Sequence, residues 1–343
     1  MTIKWFESPE FVSQRESFDK ILNESCDKDP VVAAKAQRAI AAALQTPLRS
    51  AVLAGDLISG IFNKESYNNK TSVEYPIDLI RPGSEGDFVA YTMPDHGAIP
   101  MRRVEGDRIT VTTYRIANSI DAQARILRDA NWNMLGRMME VLEYGFIQKL
   151  NDDGFATLIS SGVSRNALVY DADAAAGQFT PRLVSLMKTF IRRNGGGNSS
   201  STNRGKLTDL YVSPECLDDV RSWTLNLVPD AVRTSVFYAK DGSSDILDIY
   251  GVKLHDLDEL GVGQKYQLYY TSTLAKSLAA SDTELVIGLD LSQRKSFVMP
   301  VGQELEITDD SARTHRQGLV SYYGSMEVGF GALDNRDVLL GSL

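Results

Sequence analysis

From Val73 to Leu79 the chain alternates: Val73, Tyr75, Ile77 and Leu79 are apolar, and Glu74, Pro76 and Asp78 lie between them. That is the period of a strand with one buried face, and Pro76 confines it to a sheet edge. Three turn signals follow, RPGSEGD, MPDHG and VEGDR, interleaved with the short runs Phe88–Thr92, Ala98–Val104 and Ile109–Ile116. The glycines supply positive φ for the reversals, while Pro82 and Pro94 preset the entry angle. The pattern predicts a long two-stranded excursion over 73–117 with its tip near Pro94–Gly97. A hairpin of this length has too little local surface to bury its own apolar side. It implies a partner, and so assembly rather than catalysis.

The period then changes. Ile120, Ala124, Leu127, Leu135, Met138, Leu142, Phe146 and Leu150 recur at three- and four-residue steps, broken only by Asn131, which is one face of a helix. Asn118 or Ser119 is placed to cap it, Asp121 and Asp129 suit its N-terminal half, and Asp152-Asp153-Gly154 reads as its end. A helix from 119 to 151 would be roughly 50 Å long, against a usual ~10–14 residues. Trp132 and the Met138-Met139 pair widen the apolar surface beyond the seam of a coiled coil, the competing form.

Before the arm, Asp29-Pro30 is a helix start and VVAAKAQRAIAAALQ a helix, broken by Pro47 and followed by a second apolar segment, LRSAVLAGDLISGIF. This region fits either an arm that docks on neighbours or an ordinary helical subdomain. After the long helix the pattern is α/β. Strands are expected at Ala167–Tyr170, Asp209–Val212, Ile246–Val252, Lys265–Tyr270, Leu285–Leu289, Ser296–Val301, Glu304–Ile307 and Val320–Phe330, with helices opening at Thr180-Pro181 and Ser213-Pro214-Glu215.

Composition narrows the function classes. With 343 residues and 43% hydrophobic content the chain can bury a large core or two, and no apolar run is long enough for a membrane span. No signal peptide is evident in MTIKWFESPEF. Cys26 and Cys216 offer no disulfide framework and fit a reducing cytoplasm. A net charge of −9, with Arg102-Arg103 and Arg192-Arg193 as the densest basic pairs, argues against a protein that grips phosphate backbones.

Catalytic signatures are sparse. NGGGNSSSTNRG leads into Gly205-Lys206, but Leu207 replaces the Ser or Thr of a P-loop and Ser200 its first glycine, so it reads as a flexible surface loop. Ser185 and Lys188 have the spacing of a Ser–Lys pair without its companion motifs. His96, His255 and His315 have no neighbouring ligand at zinc-finger spacing. His255 beside Asp256 is the one enzyme-like pairing, and Asp171/Asp173 and Asp309/Asp310 are weak divalent-cation candidates. These patterns predict no enzyme, cofactor or metal.

Four segments carry a family resemblance: YTMPDHGAIPMRRVEGDRITVTTYRIANSIDA running into the long helix, LTDLYVSPECLDDVRSW, IYGVKLHDLDELG, and the closing SYYGSMEVGFGALDNRDVLL. Across roughly 70–343 the chain resembles the major capsid proteins of tailed bacteriophages, in element order more than in any invariant motif. The resemblance implies an α+β fold: a mainly helical N-terminal arm (1–72), an extended β-hairpin loop (73–117), a spine helix opening the peripheral domain (118–164), an axial domain (165–280) and strands returning to the peripheral domain (281–343). It implies hexamers and pentamers of this chain closing into an icosahedral virion shell around double-stranded DNA, assembled in the host cytoplasm. Scaffold, portal and decoration proteins are further partners that the resemblance allows, and it implies no membrane. Arg81, Pro94, Asp95, His96, Arg102 and Arg103 are the expected contact residues of the loop. The encapsulin type of nanocompartment shares the architecture and is the alternative, followed by an α/β enzyme at His255/Asp256. Some family members cross-link through a loop lysine. Here no lysine occurs between Lys70 and Lys149, so the expected grip is non-covalent. The short N-terminal region leaves little room for a long fused scaffold, so a separate one or none is expected.

Overall fold

A computed structural model describes residues 21, 24–25, 29–55, 57–67, 72–78, 106–123, 133–165, 168–194, 205–223, 248–280, 283–292, 296–309 and 319–343. The chain divides into two compact units, one formed by 1–73, 111–154 and 299–330, the other by 74–110, 155–298 and 331–343.

In the first unit, helix α1 (Pro30–Gly55) runs straight through Pro47, where the sequence predicts a break. Ala36, Ile40, Leu44, Leu48 and Val52 form one buried stripe on both sides of the proline. Burying each large member of such a stripe contributes about 1.5–3 kcal/mol, which outweighs the ~3 kcal/mol of a mid-helix proline. Strands β1 (Asn63–Ser66), β10 (Phe297–Asp309), β11 (Leu319–Val328) and β4 (Tyr114–Gln123) lie side by side in that order, and the short β12 (Gly331–Ala332) pairs with the start of β10. The pairing of β11 with β4 is unbroken and antiparallel from Leu319↔Gln123 to Val328↔Tyr114.

That ladder corrects the helix start expected at Asn118 or Ser119. Those residues are strand, because Ile116 is buried and β11 supplies a complete hydrogen-bonding partner. Tertiary pairing overrides the local three-to-four spacing at Ile120. The long helix, α2, spans Asn133–Ser164, so the expected end at Asp152-Asp153-Gly154 is also corrected. Met138, Leu142, Phe146 and Leu150 are buried as the pattern requires. The Phe146 ring reaches the sheet at Gly324, where a Cβ would come within 2.8 Å of it. The expected run Ile109–Ile116 is two strands, β3 (Gly106–Thr112) and β4, parted at Thr113, whose hydroxyl donates to Glu327 at 2.8 Å. Ser296–Val301 and Glu304–Ile307 are one strand, β10, irregular in its pairing between Val301 and Glu306.

The second unit is a mixed six-stranded sheet in the order β5 (Leu168–Tyr170), β13 (Val338–Ser342), β9 (Leu285–Leu289), β6 (Asp209–Val212), β8 (Val252–Asp256) and β7 (Asp248–Ile249). The pairs β5–β13 and β6–β8 are parallel and the others antiparallel. Helices cover both faces, as parallel pairing demands. On one side are α3 (Pro181–Asn194) and α4 (Pro214–Ser222), whose Leu183, Val184, Met187, Ile191, Cys216 and Val220 join the core. On the other is the end of α2, with Phe155 edge-on to Tyr211 at 5.4 Å. The two faces alternate along β13: Gly341 meets Met187 of α3, and Leu340 meets Gly162 of α2. Lys265–Tyr270, expected as a strand, is instead helix α5 (Lys265–Leu268) passing into a π-helical turn, Tyr269–Thr273. It buries Tyr266, Gln267 and Tyr270, and Gln267 is satisfied there by the Gly263 amide and the Thr283 carbonyl. That spacing is helical rather than alternating.

Candidate functional site

Arg81, Pro94, Asp95, His96, Arg102 and Arg103 lie outside the described residues, as do His315, Cys26 and Asp310. What is described of the arm is its stem. Strand β2 (Ser72–Asp78) pairs with β3 in a two-stranded sheet of their own. Val73, Tyr75 and Val111 are buried and Glu74 and Pro76 exposed, the alternation expected from sequence. Glu74 takes an ion pair from Arg108 across the stem at 2.9 Å. Two strands alone are marginal in water, so a stem of this kind depends on what it lies against. A second outward-facing apolar spot is on α2, where Val141 and Tyr144 are 48% and 67% exposed one turn apart.

The enzyme-like pairing resolves differently from its sequence neighbours. His255 Nε2 lies 2.8 Å from Asp209 Oδ1, on the parallel neighbour strand, while Asp256 is exposed at the strand's end. Tyr211 stacks on the imidazole at 4.8 Å. Burial pushes the Asp209 carboxyl up, but hydrogen bonds from His255 and Thr208, with Lys253 nearby, hold it below the usual range. The group ties β6 to β8. Asp209 was invisible as a partner because it sits 46 residues away in sequence.

The proposed cation carboxylates are also occupied. Asp171 accepts from the Thr180 hydroxyl at 2.8 Å and faces Arg182 at 3.6 Å, while Asp173 pairs with Arg182. Asp309 faces Arg38 at 3.9 Å. Among the described residues no group of His, Cys, Asp and Glu is arranged to hold a metal, and no helix is long and apolar enough to cross a membrane. Lys188 donates to the Tyr250 carbonyl at 2.6 Å rather than activating Ser185.

Two buried acid clusters went unread in the sequence. Ser213 caps α4 by accepting from the Cys216 amide, and both Ser213 and Cys216 approach the Glu284 carboxylate. Burial raises the Glu284 carboxyl, with Glu215 and Asp219 adding to the effect and the two hydrogen bonds opposing it. Burial likewise pushes the Cys216 thiol well above its ordinary value. In the second cluster, burial and the charges of Asp334 and Asp290 push Asp337 up to about 6, against the Ser296 hydrogen bond and the Arg336 charge. Beside it Arg165 donates to the carbonyls of Arg336 and Val338 at 3.1 and 2.8 Å. The only sequence cue was the charge alternation DNRD at 334–337.

No family model and no curated relative matches the chain. Solved structures do. The fold, mixed helix and sheet, is that of phage capsid proteins, and the likeness covers more than four-fifths of the chain. The capsid of a native GTA particle aligns with 14% identity, covering 83% of this chain and 89% of the other, at a TM-score of 0.56. The capsid of cyanophage Pam1 aligns with 10% identity, 82% and 88% coverage, and a TM-score of 0.56. The SrpI encapsulin of Synechococcus elongatus PCC 7942 aligns with 13% identity, 83% and 85% coverage, and a TM-score of 0.50.

Proposed function

We propose that this chain is a structural shell protein of a tailed phage, a major capsid protein and not an enzyme. The observation that carries the reading is the fold likeness to capsid shells across 82–83% of the chain. In this reading the unit with β10, β11 and the first part of α2 is the peripheral domain and the six-stranded unit the axial domain, so that of the stretch 281–343, expected to return to the peripheral domain, 299–330 does so while β9 and β13 join the axial sheet. The β2–β3 stem leads into an arm that lies on the neighbouring copy, with Arg81, Pro94, Asp95, His96, Arg102 and Arg103 making contacts. Val141 and Tyr144 form a second contact. Copies join as hexamers and pentamers into an icosahedral virion shell that closes in the host cytoplasm, with scaffold, portal and decoration proteins as further partners. A net charge of −9 suits a shell filled with double-stranded DNA from outside rather than condensed onto it.

The encapsulin-like reading rests on the SrpI likeness. Electron microscopy of the expressed chain, with its neighbouring genes, separates the cases. Closed shells several hundred ångströms across support the class, and their contents, nucleic acid or protein cargo, choose between the two. Deleting 81–104 should leave a folded chain that no longer assembles. Shells that still form would remove the arm from the account, and a strict monomer under every condition would sink the shell reading.

A further inference from the structure

Between Asp173 and Asp209 the chain carries Arg182, Lys188, Arg192, Arg193, Arg204 and Lys206 and no carboxylate, against a net charge of −9 for the whole. Arg182 is neutralised by Asp171 and Asp173. Arg192 and Arg193 occupy the last turn of α3, where the helix dipole favours cations. Neither fact accounts for where Lys188 and Lys206 go.

Both line a single cavity of about 740 Å³ in the second unit, together with Arg192, Ser185 and Tyr250. Its walls are built by three elements. Ser185, Lys188 and Arg192 fall three and four residues apart on α3, one stripe of the helix. Lys206 comes from the chain entering β6. Its position is fixed because Gly205 packs on the helix end, where a Cβ would lie 2.7 Å from the Ile191 carbonyl oxygen. The Lys206 amide is also anchored to Asp290 at 2.6 Å. The third wall is the turn between β7 and β8.

That turn is the informative part. Tyr250 and Gly251 both have positive φ, 53° and 73°. Two-residue hairpin turns of this kind favour Asn-Gly or Asp-Gly, and a bulky aromatic in the left-handed region is strained. The strained residue is nonetheless 57% exposed, so no core packing explains it. Its carbonyl is held by the Lys188 ammonium at 2.6 Å, which leaves two of that ammonium's three donors unspent among the described residues. An unfavourable aromatic kept at the edge of a cationic cavity suits a ligand with both an anion and a flat ring.

We propose that this cavity binds a nucleotide. Arg192, Lys206 and the remaining Lys188 donors take the phosphate, with the Ser185 hydroxyl beside them, and the base stacks on Tyr250. The nucleotide comes either free or as one unit of a strand. The site belongs to one unit of the chain and does not depend on shell assembly, so its failure leaves the shell reading untouched.

The test is equilibrium binding to the full-length chain of three probes: inorganic phosphate, adenosine monophosphate and a twelve-residue single-stranded oligonucleotide. Adenosine monophosphate should bind about tenfold more tightly than phosphate, the scale of one base stacking on an aromatic ring. The R192Q/K206Q double variant should lose both. Tyr250→Asn should abolish the preference for the nucleotide while raising the melting temperature, because it installs the favoured turn pair. An oligonucleotide that binds far better than the monophosphate, with steep salt dependence, assigns the strand; equal affinity assigns the free nucleotide. Equal affinity for phosphate and adenosine monophosphate, no saturable binding of either nucleotide probe, or a Tyr250→Asn variant that keeps the preference overturns the assignment.

Discussion

Ile58 closes over Gly154 so tightly that a Cβ on the glycine would sit 2.5 Å from Ile58 Cδ1 and 2.7 Å from its Cγ1. Ile58 is fully buried, so it cannot swing into solvent. Gly154 is therefore a packing glycine inside α2, not the helix stop that Asp152-Asp153-Gly154 suggests. Alanine there would gain about 1 kcal/mol of helix propensity but lose about 1–3 kcal/mol to overpacking. Gly154→Ala should be net destabilising by about 1 kcal/mol in urea unfolding. A stabilised variant would show that the helix end, not the packing, sets this position.

The same contrast explains which parts of the fold were legible. Short segments with one strong signal were read well: Asp209–Val212 and Leu285–Leu289 are strands with the expected bounds, and Pro181 and Pro214 open helices. Two errors are local: Lys265–Tyr270 has helical spacing, and the expected strand Ile246–Val252 turns back at Tyr250-Gly251. The others fall where a distant segment decides. Ile116 to Ile120 fits a helix face until β11 is present to pair with it, and Pro47 breaks a helix only if no buried stripe spans it. The clusters around Asp209, Glu284 and Asp337 join residues tens of positions apart, so no local spacing could reveal them. The resemblance to shell proteins was legible because it rests on the broad order of arm, long helix and mixed α/β region, which shifts of single elements do not change.

Asp337 predicts a pH dependence. Its carboxyl titrates at about 6 when folded, against about 3.9 for an unperturbed aspartate. Between about pH 4 and 6 the folded chain retains a proton that the unfolded chain has released, so this group's contribution falls as pH rises and is least favourable above 6. The groups facing it are Asp334, Asp290, Arg336, Arg165 and Ser296. Asp337→Asn keeps an acceptor for Ser296 and removes the charge. Its stability relative to the parent should rise across that window, reaching on the order of 1 kcal/mol at pH 7.5. Urea midpoints measured from pH 4 to 8 that move in parallel would refute it.

Cys216 predicts a silent thiol. It is 1% exposed, burial and the neighbouring Glu284 push its pKa up, and the thiolate is the reactive form. Under native conditions at pH 8, iodoacetamide should leave the Cys216 peptide unmodified, with full alkylation only after denaturation. Rapid native labelling, read by mass spectrometry, would mean that α4 opens far more readily than its core position implies.

In the proposed shell, copies are held together without covalent links. An isopeptide bond in the loop needs an amine nucleophile, and the chain has no lysine between Lys70 and Lys149. In the proposed shell the arm would then grip its neighbour by burying apolar surface and by hydrogen bonds and ion pairs, and boiling detergent disrupts all three. Assembled shells should therefore resolve to a single band near the 37.8 kDa of one chain. They should do so whether taken early or after long maturation. A ladder of higher multiples that survives boiling would require a lysine from elsewhere in the chain to reach a neighbour, and mass spectrometry of the linked peptides would identify it.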